Sequence, residues 1–220
     1  MDINLAEELL LIGYGDDGSP AADSSWLDYG LAGAVLVELA IAGRLSPVDG
    51  VLRVLDPTPT GDPVVDRGLA EIVGSRTELS ALNWVNRLRE WVRDAVLDRL
   101  VERGLLRRTE QRVLWVFPTT RFPSGSDGQP AAELDARHRL LRALDGATPP
   151  DPRTHALWAL VCGTGLVASA FPGRAPDEVK RRLDALGEPQ WADRAVRDAL
   201  AELEIALTTT TTVTIIGGGS

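Results

Sequence analysis

The apolar positions fall into two kinds of stretch, those apolar on nearly every side and those in which apolar residues recur every three or four positions. "INLAEELLLIG" is a short helical pattern that runs into a Gly/Asp turn over residues 15–20. "DSSWLDYGLAGAVLVELAIAGRL" supplies N-cap residues and then a long helix beginning near Asp28, with Glu38 the only charge between Asp28 and Arg44. A helix apolar on all sides has to lie in the middle of a bundle. "GRLSPVDGVLRVLDPTPTGDP" reads as strand, turn, strand, with Asp49-Gly50 at the turn and a proline-rich exit. Helical patterns follow over 63–73 and, as one long stretch, over 77–103, where Gly104 stops the second. A second hairpin comes next, then the Pro/Gly/Ser-rich segment 122–130, read as a flexible loop. Beyond it the patterns are helical over 131–145, 153–170, 175–186 and 190–206.

These elements predict a mainly α fold: a bundle of apolar helices ringed by amphipathic helices, with two short β-hairpins. One domain is expected over 1–206, followed by a low-complexity tail over 207–220 whose β-branched residues suit a last strand before a fraying glycine end. The helix from Asp28 and the one over 153–170 should be the most buried. The two hairpins share an order of parts, helix, Gly, leucine strand, polar turn and a V-L-x-V strand ending at proline, as a diverged repeat would.

The second hairpin is unlike the first in one respect. Successive side chains of a strand point to opposite faces, so in Val113-Leu114-Trp115-Val116-Phe117 both faces are apolar, whereas Arg53 gives the first hairpin a polar position. Such a strand is sandwiched inside the protein or covered by something outside it.

Charge sharpens the second alternative. The 220-residue chain carries a formal net charge of −9, which argues against a nucleic-acid binder, winged-helix proteins included, although helix, strand, turn, strand also describes a wing. From Arg87 to Arg121, however, nine arginines face five acids, a net of +4 that leaves −13 on the remainder. A locally basic segment joined to an apolar hairpin is the combination that an anionic membrane surface attracts. One cysteine and two histidines exclude a disulfide framework and a Cys/His zinc cluster. No secretory signal opens the sequence, and the charge-free run over 155–173 is interrupted by Pro172 and three glycines, so it reads as a core helix. The expected setting is cytoplasmic, peripherally attached to the inner face of a membrane.

No catalytic constellation, metal site or cofactor site emerges. Gly163-x-Gly165-x-x-Ala168, with Asp184 downstream, matches a dinucleotide fingerprint in letters only, since helical patterns flank it on both sides. His138 and His155 read as surface or capping residues, and Cys162 as a small buried hydrophobe. Asp16-Asp17 has no further ligands at EF-hand spacing and reads as a solvated turn.

Four motifs, "LAEELLLIGYGDDG", "GLAGAVLVELAIAGRL", "PTGDPVVDRGLAEI" and "LVERGLL" with the hairpin through "TT", resemble the Golgi phosphoprotein 3 family over most of the chain, to about residue 206. Members of that family are peripheral membrane proteins that bind phosphatidylinositol 4-phosphate, built as apolar helices ringed by amphipathic ones with a hairpin that inserts into the bilayer. The resemblance implies a headgroup pocket made of a tryptophan, matched by Trp26, an arginine in the long apolar helix, and an arginine pair before the hairpin. Ala32 and Glu90 stand where two of those arginines would be, Arg93 matches the last, and Arg89 lies one turn before it on the same face. The resemblance therefore implies headgroup contacts from Trp26, Arg89 and Arg93, insertion of Leu114, Trp115, Val116 and Phe117, and a membrane-facing basic set of Arg107, Arg108 and Arg112. The expected partner is anionic phospholipid, with an inositol phospholipid among the candidates, and binding should follow bilayer charge more than headgroup identity. The competing reading is a non-catalytic interaction module whose hairpin packs on a partner, including a second copy in a homo-oligomer. The basic tail with which eukaryotic members engage coat proteins is absent, so Golgi sorting is not implied.

Overall fold

The computed structural model describes residues 3–21, 24–113, 117–126, 128–147 and 149–186, and only the backbone of residues 24, 25, 111–113, 117, 118 and 186. It is mainly helical, with two separate two-stranded antiparallel sheets. α1 (Leu5–Gly13) begins with a capping box: the Asn4 side chain accepts from the Glu7 backbone N–H, and the Glu7 carboxylate accepts from that of Asn4. Every residue of α1 is buried, including Glu7 and Glu8. α2 (Ser24–Ile41) is the axial helix, in contact with α1 and with α3 (Pro63–Val73), α4 (Ala81–Leu88), α5 (Val92–Glu102) and α7 (Pro152–Gly163). Its almost wholly apolar sequence, with Glu38 the one charge after Asp28, is what a central position demands, and Leu31 to Val37 are all buried.

Close packing around α2 depends on small residues. A Cβ on Gly30 would lie 2.2 Å from Thr164 Cγ2 and 3.0 Å from a Leu9 methyl, so glycine lets α2 meet α1 and the end of α7. The first hairpin pairs β1 (Leu45–Val48) with β2 (Val51–Val54), Val48 opposite Val51, through Asp49 at φ +54° and Gly50 at φ +78°. Positive φ at both central residues fits the right-handed twist of the strands. Arg53 is exposed.

The single long helix expected over 77–103 is two. The Leu79 carbonyl accepts from the Leu52 N–H, so the segment before Ser80 serves the first hairpin and α4 starts only after the Ser80 cap. The chain then breaks at Arg89 to Trp91, where the Trp91 indole lies under the Arg67 guanidinium, 3.9 Å from the ring centroid. The expected helix over 153–170 is also divided: α7 ends at Gly163, Thr164 hydrogen-bonds back to the Leu160 carbonyl at 2.7 Å, and Gly165 at φ +72° turns the chain into α8 (Val167–Ala170). The dinucleotide-like glycines are thus a helix stop. α6 (Ala131–Leu144) and α9 (Pro176–Leu186) complete the described helices, and the helix expected over 190–206 and the tail lie outside the described residues.

His155, read from sequence as surface or capping, is 7% exposed in the first turns of α7, and burial holds its imidazole below the ordinary histidine range. His138 is exposed and Cys162 half-buried against the core. No helix of the described residues is long and apolar enough to cross a membrane.

Candidate functional site

Trp26 and Tyr29 are three apart in the first turns of α2, which puts them on one face, and their ring centroids are 5.9 Å apart. The break between α4 and α5 delivers two arginines to that face. The Arg89 guanidinium lies over the Tyr29 ring at 4.8 Å, and Arg93 Nε is 2.6 Å from Asp28 Oδ1. Trp26, Arg89 and Arg93 therefore stand at one corner of the molecule, joined through Tyr29 and Asp28, two residues the sequence reading passed over. The helical spacing of Trp26 and Tyr29 was the available signal for the first.

The electrostatics of the corner are mixed. Burial pushes the Asp28 carboxyl above the ordinary carboxylate range, against the opposing pull of Arg93 and Arg89, and the charge of Asp94 pushes the same way as burial. Glu90 is exposed beside them, and Ala32 is fully buried in the core.

Tyr14, at the end of α1, connects the corner to the second hairpin. Burial raises its hydroxyl pKa while the Arg93 charge lowers it, and its ring meets Phe122 edge-on, centroids 6.2 Å apart at 82°. Phe122, placed in a flexible loop by the sequence reading, is buried at the root of the hairpin. Its backbone N–H donates to the Gly18 carbonyl at 2.9 Å, and a Cβ on Gly18 would fall 2.3 Å from the Pro123 nitrogen, so only glycine at φ +74° allows this approach. Arg121 pairs with Asp17, the Arg107 N–H donates to the Pro123 carbonyl, and Leu106 bridges to Ser124. From this root rise β3 (Thr109–Val113) and β4 (Phe117–Arg121), with Thr109 opposite Arg121 and Val113 opposite Phe117.

Leu114, Trp115 and Val116 lie outside the described residues, as do the side chains of Arg112 and Phe117. The remaining basic positions are placed as follows. Arg107 is exposed and donates to the Ser124 carbonyl at 3.0 Å, and Arg108 is exposed, 2.5 Å from Asp98, with its guanidinium 5.5 Å from the Phe122 ring centroid. Much of the local positive charge seen in sequence is engaged internally: Arg87 pairs with Glu71, Arg99 with Glu102 and Arg103 with Glu7. Among the described residues, Arg89 and Arg107 make no ion pair with a carboxylate.

Elsewhere, a surface groove of about 470 Å³ beside the first hairpin is lined by Leu52, Arg53, Ile72, Arg76, Glu78 and Trp84 among others, with neither histidine nor cysteine. No group of three or more His, Cys, Asp or Glu that could hold a metal ion occurs among the described residues.

Residues 5–203 match the family model described as Golgi phosphoprotein 3 (GPP34). Vacuolar protein sorting-associated protein 74 of Eremothecium gossypii is 30% identical over 167 residues, which cover 64% of this chain and 49% of that protein. The match thus spans about half the length of that relative.

Proposed function

Since the chain belongs to the Golgi phosphoprotein 3 family, we propose that it is a non-catalytic, peripheral membrane protein that binds anionic phospholipid through the Trp26–Arg89–Arg93 corner and the apolar tip of its second hairpin. The observation that carries this reading is the convergence of Trp26, Tyr29, Arg89 and Arg93 at one corner, whose Arg93 charge is felt by Tyr14 at the hairpin root. The arginines supply charge-assisted donors for a phosphate, the aromatic rings suit the boundary between headgroup and acyl chain, and the hairpin supplies apolar area. Fully burying a large apolar side chain stabilises by roughly 1.5 to 3 kcal/mol, and each arginine near an anionic surface adds about 1 kcal/mol. A few such terms give reversible attachment. With Ala32 and Glu90 at two positions of the family pocket, affinity follows bilayer charge more than headgroup identity, and inositol phospholipids bind as members of the anionic class.

Liposome sedimentation tests this. The protein pellets with vesicles containing phosphatidylglycerol or phosphatidylserine and not with phosphatidylcholine alone, and pelleting weakens with salt, over a screening length of about 10 Å near 0.1 M. Trp115→Asp abolishes it. Arg89→Glu with Arg93→Glu weakens it, while Arg53→Glu on the first hairpin changes little. No pelleting with any vesicle, together with a stable oligomer whose interface buries Leu114 to Phe117, would replace this reading with that of an oligomerising module.

A further inference from the structure

We propose that Asp28 is a built-in competitor for the headgroup site, a carboxylate that occupies Arg93 in the unbound protein and that a lipid phosphate has to displace. This rests on the membrane-binding reading above. Arg93 Nε lies 2.6 Å from Asp28 Oδ1, the separation at which it would meet a phosphate oxygen, so the carboxylate and the phosphate make the same contact and exclude one another.

Neither partner of this pair is secluded: the side chains of Arg93 and Asp28 are 20% and 26% exposed, and the aromatic floor of Trp26 and Tyr29 flanks them on α2. An ion pair at the surface of a core, half-desolvated but within reach of solvent, is one that an incoming anion can open. The groups facing Asp28 are Arg93, Arg89 and Asp94 from the α4–α5 corner, with Tyr14 from α1. With Asp28 and Asp94 both ionised, they balance the two arginines, and exposed Glu90 tips the corner negative. Removing the Asp28 charge makes it receptive to an anion.

Burial already disfavours the Asp28 carboxylate, so its proton is taken up at a higher pH than an exposed aspartate would require. Acidification therefore neutralises the competitor while leaving the arginines charged, and the phosphates of phosphatidylglycerol or phosphatidylserine remain ionised. Attachment strengthens as pH falls through the raised Asp28 pKa.

The test compares the wild type, Asp28→Asn, Arg93→Gln and the double variant by sedimentation with mixed phosphatidylglycerol and phosphatidylcholine vesicles. At pH 7, Asp28→Asn is expected to bind on the order of tenfold tighter, the scale of one charge-assisted hydrogen bond. The wild type gains more affinity as the pH is lowered from 7 than Asp28→Asn does. On the Arg93→Gln background the same substitution yields no comparable gain. Equal or weaker binding by Asp28→Asn, or an equal gain with and without Arg93, overturns the proposal, the latter because it would report net charge alone.

Circular dichroism melts establish that the variants are folded, and Asp28→Ser repeats the comparison if the amide is poorly tolerated. Should no variant pellet with any vesicle, the membrane reading fails and calorimetric titration with inorganic phosphate decides the role of Asp28 separately. Phosphate bound by Asp28→Asn and not by Arg93→Gln supports competition for a soluble anion, and phosphate bound by neither overturns it.

Discussion

Arg103 grips Glu7 across the interface of α5 and α1, its Nη1 at 2.9 Å from Oε2 and 3.0 Å from Oε1, with the glutamate side chain fully buried and the arginine 7% exposed. The same carboxylate caps the start of its own helix, so one acid begins α1 and fastens it to the helix that leads into the second hairpin. Despite this partner, burial leaves the Glu7 pKa above the ordinary glutamate range.

Arg103→Met should therefore strand a buried carboxylate. At pH 7 the expected loss is about 3 to 5 kcal/mol, read from urea denaturation. The loss should shrink toward pH 5. A folded-state pKa raised above the unfolded value means that the native protein binds the proton first, so the proton-linked stability is complete below the unfolded pKa and is lost as pH rises through the folded one. A penalty independent of pH would mean that Glu7 is not the group left exposed to the low dielectric.

His155 has the opposite sign. Its folded-state pKa is depressed by burial, so the stability it contributes is present above the unfolded pKa of about 6.5 and is lost as pH falls below it. His155→Gln should lose stability at pH 7.5 through poorer packing, yet its deficit relative to wild type should narrow between pH 7 and pH 5. Paired calorimetric melts across that interval provide the check.

Gly30→Ala should be costly for a change of one methyl group. The new Cβ would need space now held by Thr164 and Leu9, and the expected cost is about 1 to 3 kcal/mol. Adding Thr164→Ser, which removes the methyl it meets, should recover part of the loss, and strict additivity in chemical denaturation would contradict that contact.

The axial helix sets the slowest opening. Amide hydrogen exchange should be slowest across Val35 to Ala40 of α2 and Ala156 to Val161 of α7, since these backbones lie where several helices pack. Rapid exchange through Val35 to Ala40 would remove α2 from the centre of the bundle.

Trp115→Ala should scarcely alter the melting temperature, because the hairpin tip is assigned to lipid rather than to the core. A tryptophan filling the protein's own interior would cost roughly 3 to 5 kcal/mol on truncation. An early melt would thus count against the membrane role of this hairpin.

The element types followed from local pattern because they are local. α2, apolar on nearly every side beyond its first turns, had to be central, and Asp49-Gly50 had to turn a hairpin. The break at Arg89 to Trp91 left no mark on the periodicity, since Val85, Leu88, Val92 and Val96 keep helical spacing through it. At that break stands a tertiary partner, Arg67 over Trp91, and the late start of α4 likewise goes with Leu79 being recruited by Leu52. Phe122 was misplaced for a related reason: one aromatic residue among prolines and glycines reads as loop until Gly18 and Tyr14, a hundred residues earlier, are brought against it. At the corner, Trp26, Arg89 and Arg93 came from a family resemblance, whereas the part played by Asp28 depends on a distance that no sequence spacing encodes.

The root of the second hairpin is clamped on several sides, by the Gly18 carbonyl, the Tyr14 ring and the Asp17 carboxylate. A body attached to a surface by one loose ribbon can swivel about it. On the proposed membrane reading, a clamped root would make the ribbon a mast: with its tip embedded, the tilt of the protein and the standoff of the Trp26 corner would be set together, and the protein would meet the surface in one attitude. Relaxing the clamp, as a larger residue in place of Gly18 would, should leave the tip able to embed but let the corner wander out of reach of the phosphates.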